Sequence, residues 1–214
     1  MRARLRALLL DLDGTLVDRD AALEAWLGRR AGLGPEIERL LALDRADDRS
    51  LAALARELAR LRPGLAVNPG ALLERIRGEL PEFVRPEPGV IGALDRLRGA
   101  GLRLALVSNG GPSQRRKLAA AKLPESLFET IWISGELGHA KPAPAIFEAT
   151  LRALELGPEQ VMMIGDSPEQ DIAGAAALGI STCWIAAQRP YPAGCPAPTM
   201  IARDFPSAVA RLLD

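Results

Sequence analysis

Three short apolar runs, LRALLL up to Leu10, LRLALV up to Val107 and VMMI up to Ile164, each stop abruptly at polar or glycine-rich residues. A fourth, STCWI, ends at Ile185. Each is shorter than an ordinary helix and mostly lacks polar alternation, so it reads as a strand covered on both faces. From Gly89 onward the gaps between runs are helical. Val90, Ile91, Leu94 and Leu97 share a face that ends at Gly99 and Gly101, and Pro112 opens another helix. After a β-rich ETIWIS come a helix from Pro142 to Leu156 stopped by Gly157, a helix from Pro168 to Leu178 stopped by Gly179, and an amphipathic helix over Ser207 to Leu213. Strands alternating with helices of this length predict an α/β chain: a parallel sheet with helices on both faces.

The stretch between the first two runs breaks that rhythm. It carries helical faces at Leu23, Trp26 and Leu27, at Leu51, Leu54, Leu58 and Leu61, and at Leu72, Leu73, Ile76 and Leu80, the last behind an Asn68-Pro69 cap. One helix suffices for a parallel crossover. The surplus reads as an inserted α-helical module over residues 17–85, ended by RPEPG, with the core over 1–16 and 86–214.

Ligands in such sheets bind beyond the carboxyl ends of the strands. The first end carries Asp11 and Asp13, and the second Ser108, Asn109 and Gly110. The loop after ETIWIS reaches His139 and Lys141, and VMMIG delivers Asp166, Ser167 and Asp171. Alternation on a strand puts Asp11 and Asp13 on one side. The fold therefore brings four acids, a hydroxyl, an amide and a lysine to one edge.

Composition narrows the partners. Basic and acidic residues balance at 27 each, which gives no electrostatic footprint for nucleic acid, and 48% hydrophobic residues supply a core. The basic start is followed by an apolar run too short to span a bilayer and by no small-residue cleavage site. Cys183 and Cys195 have neither metal-ligand spacing nor the density of a disulfide scaffold. A cytoplasmic protein without membrane or nucleic-acid partners is expected, as monomer or homodimer.

DLDGTLVD, VSNG, KPAP and GDSPEQD, in this order, resemble the four motifs of the haloacid dehalogenase-like (HAD) hydrolase superfamily. The helical insertion after the first motif resembles the superfamily's small α-helical cap, and the rest its Rossmann-like core. The resemblance covers nearly the whole chain and points to the phosphatase branch, phosphoglycolate phosphatase-like enzymes among them. It implies Asp11 as a nucleophile that becomes an aspartyl-phosphate, and Asp13 as the acid that protonates the leaving oxygen and then activates water. It further implies a metal held by Asp11, Asp166 and the backbone carbonyl of Asp13, with Asp171 behind them. Phosphate oxygens would be bound by Ser108, by the amides around Asn109 and Gly110, and by Lys141, which also neutralises charge in the transition state.

Charge independently argues for a metal. With Asp13 protonated, the other three acids and a phosphate dianion sum to about −5, against one lysine. Oxygen ligands without a cysteine or histidine constellation favour Mg²⁺ over Zn²⁺.

Bland readings exist for each residue. Asp11 and Asp13 can cap a turn, and Ser108-Asn109-Gly110 can be an ordinary loop. Ser167 to Gln170 fits a capping box, and Asp171 a first-turn acid. Lys141 is less easily dismissed, since it precedes a helix whose dipole disfavours it. His139 reads as a loop residue, with substrate contact as the other possibility. Trp132 and Trp184 read as core, and Trp26 as either helix packing or substrate contact. In the insertion, Arg29, Arg30, Arg45 and Arg49 are candidates for an anionic leaving group, although a solvated charged face is commoner.

The expectation is a Mg²⁺-dependent phosphatase acting on a small phosphorylated metabolite. A phosphomutase of the β-phosphoglucomutase type shares nearly the same motifs. A haloacid dehalogenase typically lacks the second acid, so Asp13 weighs against it. A phospho-metabolite-binding module without turnover would have no need of a carboxylate facing the phosphate.

Overall fold

The computed structural model describes residues 5–46, 50–187 and 189–214. By contacts they form two compact units, Met1–Val17 with Pro86–Asp214, and Asp18–Arg85.

The first unit is built on a six-stranded parallel sheet: β1 (Ala7–Leu10), β2 (Arg103–Ser108), β3 (Thr130–Ile133), β4 (Val161–Gly165), β5 (Ser181–Ile185) and β6 (Met200–Ala202), in the order β3-β2-β1-β4-β5-β6. Every residue of β1 is fully buried, as a strand covered on both faces requires. One face of the sheet presents Ala7, Leu9, Ala105, Val107, Val161 and Met163 to Ile146, Phe147 and Leu154. Trp184 is buried, and Trp132 packs half-buried at the edge of this cluster.

The second unit holds α1 (Arg19–Ala31), α2 (Ile37–Ala46), α3 (Ala52–Leu61) and α4 (Pro69–Glu79). Asp18 accepts from the Ala21 N–H to start α1, and Gly32, left-handed at φ 63°, ends it. Asn68 caps α4 in the same way, with a proline in the first turn. Arg19 and Asp44 pair in the interior, and Asp44 also accepts from the Leu51 N–H. Trp26 is fully buried and donates its indole N–H to Glu79 at 3.0 Å, which settles it as a packing residue within this unit.

The core helices are α5 (Val90–Gly99), α6 (Ser113–Ala120), the short α7 (Ser134–Leu137), α8 (Pro144–Leu154), α9 (Gly174–Ala176) and α10 (Phe205–Leu213). Several differ from the sequence reading. The helix expected from Pro142 begins at Pro144, because residues 140–143 close a turn of their own, Ala143 N–H to Ala140 carbonyl. It stops at Glu155, in left-handed geometry at φ 52°, and not at Gly157. Leu156 is thereby drawn into the core cluster, the apolar contact that commonly accompanies such a stop. The helix after Ser167 starts as a widened turn over Pro168–Ala173 before tightening into α9. Strand β6 and helix α7 are too short to leave a periodic signal.

Candidate active site

Strand order reverses between β1 and β4: β2 and β3 follow on one side of β1, β4 to β6 on the other. That is the switch point where doubly wound sheets open a crevice. Asp11 is the first residue past β1 and Asp166 the first past β4, and the Asp11 N–H donates to the Ile164 carbonyl at 3.0 Å. Gly14, at φ 81°, then turns the chain so that its N–H meets the Val17 carbonyl.

Asp11, Asp166 and Asp171 are all buried, each offering an oxygen within 4.8 Å of the others. Lys141, 4% exposed, lies among them. Its ammonium donates to Asp11 Oδ1 at 2.7 Å and to the Val107 carbonyl at 2.8 Å, and sits 2.6 Å from Asp171 Oδ1. The Thr15 hydroxyl reaches Asp11 Oδ2 at 3.4 Å. Asp166 receives Arg189, which donates to its carbonyl at 3.0 Å and its Oδ2 at 3.1 Å while lying over the Trp184 ring; the Trp184 indole donates to the same carbonyl.

Asp171 sits where it does because of the widened turn. The N–H groups of Asp171 and Ile172 both point to the Ser167 carbonyl, and Asp171 Oδ2 accepts from the Ser167 N–H at 2.9 Å. Such wide turns recur at functional sites. The expected capping box is only half made. Ser167 Oγ accepts from the Gln170 N–H, but the Gln170 side chain turns away to accept from Asn109. Gly165 leaves room for this arrangement, since a Cβ there would stand 2.2 Å from Asp171 Oδ2. Gly165→Ala is expected to displace Asp171 and to cost about 1–3 kcal/mol by overpacking; a urea midpoint equal to that of the parent protein would refute the close fit.

Burial dominates the electrostatics. It raises the Asp11 carboxyl to about 6; Asp171 and Asp13 push the same way and Lys141 opposes them. Asp171 is raised too, again chiefly by burial. For Lys141 burial pulls downward, but the charges of Asp11 and Asp171 outweigh it, and the ammonium is held above its ordinary range. Three buried carboxylates thus face the cations of Lys141 and Arg189. An oxygen-only donor set this compact suits a hard divalent ion.

Asp13 Oδ2 lies 2.6 Å from Lys117 Nζ and 2.9 Å from Gln114 Nε2, and its Oδ1 2.8 Å from Lys117. The same Gln114 nitrogen donates to Ser108 Oγ at 2.8 Å. Sequence reasoning missed both α6 residues, although their i,i+3 spacing on the helix that follows β2 marks one face. It also missed Arg189, which lies in a proline-rich loop without periodicity.

The Asn109 side chain is occupied: it donates to the Lys141 carbonyl at 2.8 Å and accepts from the Lys141 N–H at 2.8 Å, pinning that loop. The Gly110 N–H donates to Ser134 Oγ. His139 is exposed. In the helical unit Arg30 pairs with Glu82 and Arg45 with Asp20 and Glu38; Arg29 is exposed, and Arg49 lies outside the described residues. Among the described residues no helix is long and apolar enough to cross a membrane.

A family model described as haloacid dehalogenase-like hydrolase matches residues 5–179. The chain belongs to this hydrolase family. Phosphoserine phosphatase of Thermus thermophilus is 37% identical over 123 residues, 54% of this HAD-like chain and 49% of that protein, so the match spans about half of the relative's length. Glyceraldehyde 3-phosphate phosphatase of Methanopyrus kandleri is 30% identical over 202 residues, covering 85% of this chain and 84% of that one. The solved structure of the HAD-hydrolase YfnB from Bacillus subtilis bound to magnesium shares the fold, with a TM-score of 0.81 at 23% identity over 98% of this chain and 99% of that chain. Dehalogenases also occur among the similar proteins and structures.

Proposed function

We propose that this HAD-like hydrolase is a Mg²⁺-dependent phosphatase that hydrolyses a small phosphorylated metabolite through an aspartyl-phosphate on Asp11. The observation that carries this reading is the buried Asp11 carboxylate, oriented by Lys141 and grouped with Asp166 and Asp171, with the second acid Asp13 on the turn that follows. The phosphatases among its relatives support it.

In the proposed reaction Asp11 attacks phosphorus and the bond to the leaving oxygen breaks, with Asp13 donating the proton that oxygen needs. Water then attacks the aspartyl-phosphate, Asp13 accepts its proton, and phosphate leaves with Asp11 restored. Ser108 binds a phosphate oxygen, while Lys141 holds Asp11 in line and offsets charge in the transition state. Asp171 fixes Lys141. The amides of Asn109 and Gly110 complete the phosphate contacts, the latter by giving up Ser134. Asp11, Asp166 and the Asp13 carbonyl are assigned to Mg²⁺, which when bound neutralises charge between carboxylates and phosphoryl group. The residues 17–85 are assigned as the substrate-selecting cap, hinged at Leu16 to Asp18 and Phe83 to Gly89.

The test is phosphate release from a panel of phosphorylated metabolites with Mg²⁺ and with chelator. Metal-dependent release supports the phosphatase. Conversion of a sugar phosphate into its isomer without release would assign a mutase, and halide release from a 2-haloacid a dehalogenase. Binding without turnover would assign a binding module.

A further inference from the structure

The charged side chain of Lys117 is 7% exposed and directed at both oxygens of Asp13, and Gln114 ties Asp13 to Ser108 through one amide nitrogen. Burying a lysine costs desolvation and rotamer freedom, and a buried ion pair is seldom more stable than apolar residues of the same size. Fold stability therefore gives little reason for a lysine here. Its location gives another: α6 follows directly from the end of β2, so its first turns reach across to the residue that must meet the leaving group.

We propose that Lys117 and Gln114 are positioning residues that hold the Asp13 carboxyl, and through Gln114 the Ser108 hydroxyl, in fixed relation to the scissile bond. This rests on the phosphatase reading. Their contacts are with Asp13 and Ser108, and they act by restricting where Asp13 points. An unrestrained Asp13 still has its proton chemistry but samples rotamers that miss the leaving oxygen, and orientation is a large part of general acid efficiency.

The role predicts a dependence on leaving group. An alkyl phosphate needs its leaving oxygen protonated, whereas p-nitrophenyl phosphate departs as a stable anion. Phosphoryl transfer, read as kcat/KM with Mg²⁺, is compared for Lys117→Met and Gln114→Leu on p-nitrophenyl phosphate and on the alkyl phosphate that the parent protein turns over best. The expected result is a fall of roughly ten- to a hundredfold on the alkyl phosphate. On p-nitrophenyl phosphate a fall of less than about threefold is expected, with Lys117→Arg recovering part of the alkyl activity. Equal falls on both substrates would show a merely structural role and overturn the inference. So would no change, or a gain on the alkyl phosphate. If the parent protein itself releases no phosphate from either substrate, the phosphatase reading fails first and takes this inference with it. Gln114→Leu keeps the Lys117 ion pair, so the comparison stands even if Lys117→Met does not fold.

Discussion

Asp11→Asn is expected to lower phosphate release by roughly 10⁴-fold or more while leaving the fold intact. The amide is a near-isostere and can still accept from Lys141, so the geometry of the β1 end is kept, but it cannot form the acyl-phosphate. The variant also separates chemistry from stability by pH. In the folded chain the Asp11 carboxyl sits at about 6 against an ordinary value of 3.8, because burial disfavours its charge. The folded state thus binds this proton more tightly than the unfolded one. Its contribution to stability is fully present below about 3.8 and is lost as pH rises through about 6. Asparagine does not titrate. With chelator present, the thermal midpoint of Asp11→Asn relative to the parent protein should rise between pH 4 and pH 7. A difference constant with pH would mean that Asp11 is not strained by burial. Turnover within tenfold of the parent would remove it as nucleophile.

The same residues show how far the sequence carries. The sheet was legible because its central strands are buried on both faces and so are written as apolar runs, and the switch-point rule then placed Asp11, Ser108 and Asp166 together. Lys141 was singled out because a lysine before a helix start is locally unfavourable. The structure supplies the missing reason: the two carboxylates it meets, Asp11 and Asp171, lie 130 and 30 residues from it in the chain. What could not be read are contacts made by side chains whose local context is ordinary. Lys117 and Gln114 fit an amphipathic helix, Arg189 fits a loop, and Gln170 fits a capping box. Each took a tertiary partner, Arg189 while still donating to the neighbouring Ile185 and Ala186 carbonyls. The helix stop at Glu155 was lost for a related reason: burial of Leu156 in the core outweighed the preference of glycine for the left-handed position.

Lys141→Met should produce the largest loss of stability of any single change at the site. An ammonium has three N–H groups, and here three oxygens surround it, those of Asp11, Asp171 and the Val107 carbonyl. Methionine fills similar volume and removes the lysine's own desolvation cost. Even so, that gain is the smaller term, because the two carboxylates already outweigh burial in setting the lysine's charge. Two buried acids are left facing each other without a cation, and breaking a buried pair in this way costs about 3–5 kcal/mol. For a chain of this size that is roughly 10 °C in thermal midpoint. The deficit should shrink as pH falls from 7.5 to 5, since Asp11 and Asp171 are both raised and take up protons when the lysine is gone. Arginine should not restore the parent stability, because a wide planar fork cannot place its charge as one compact point among the oxygens of Asp11, Asp171 and Val107. Urea unfolding of the two variants at both pH values decides this: a Lys141→Met protein as stable as the parent at pH 7.5 would show that the carboxylates do not depend on the lysine, and the role assigned to it in holding Asp11 would fall.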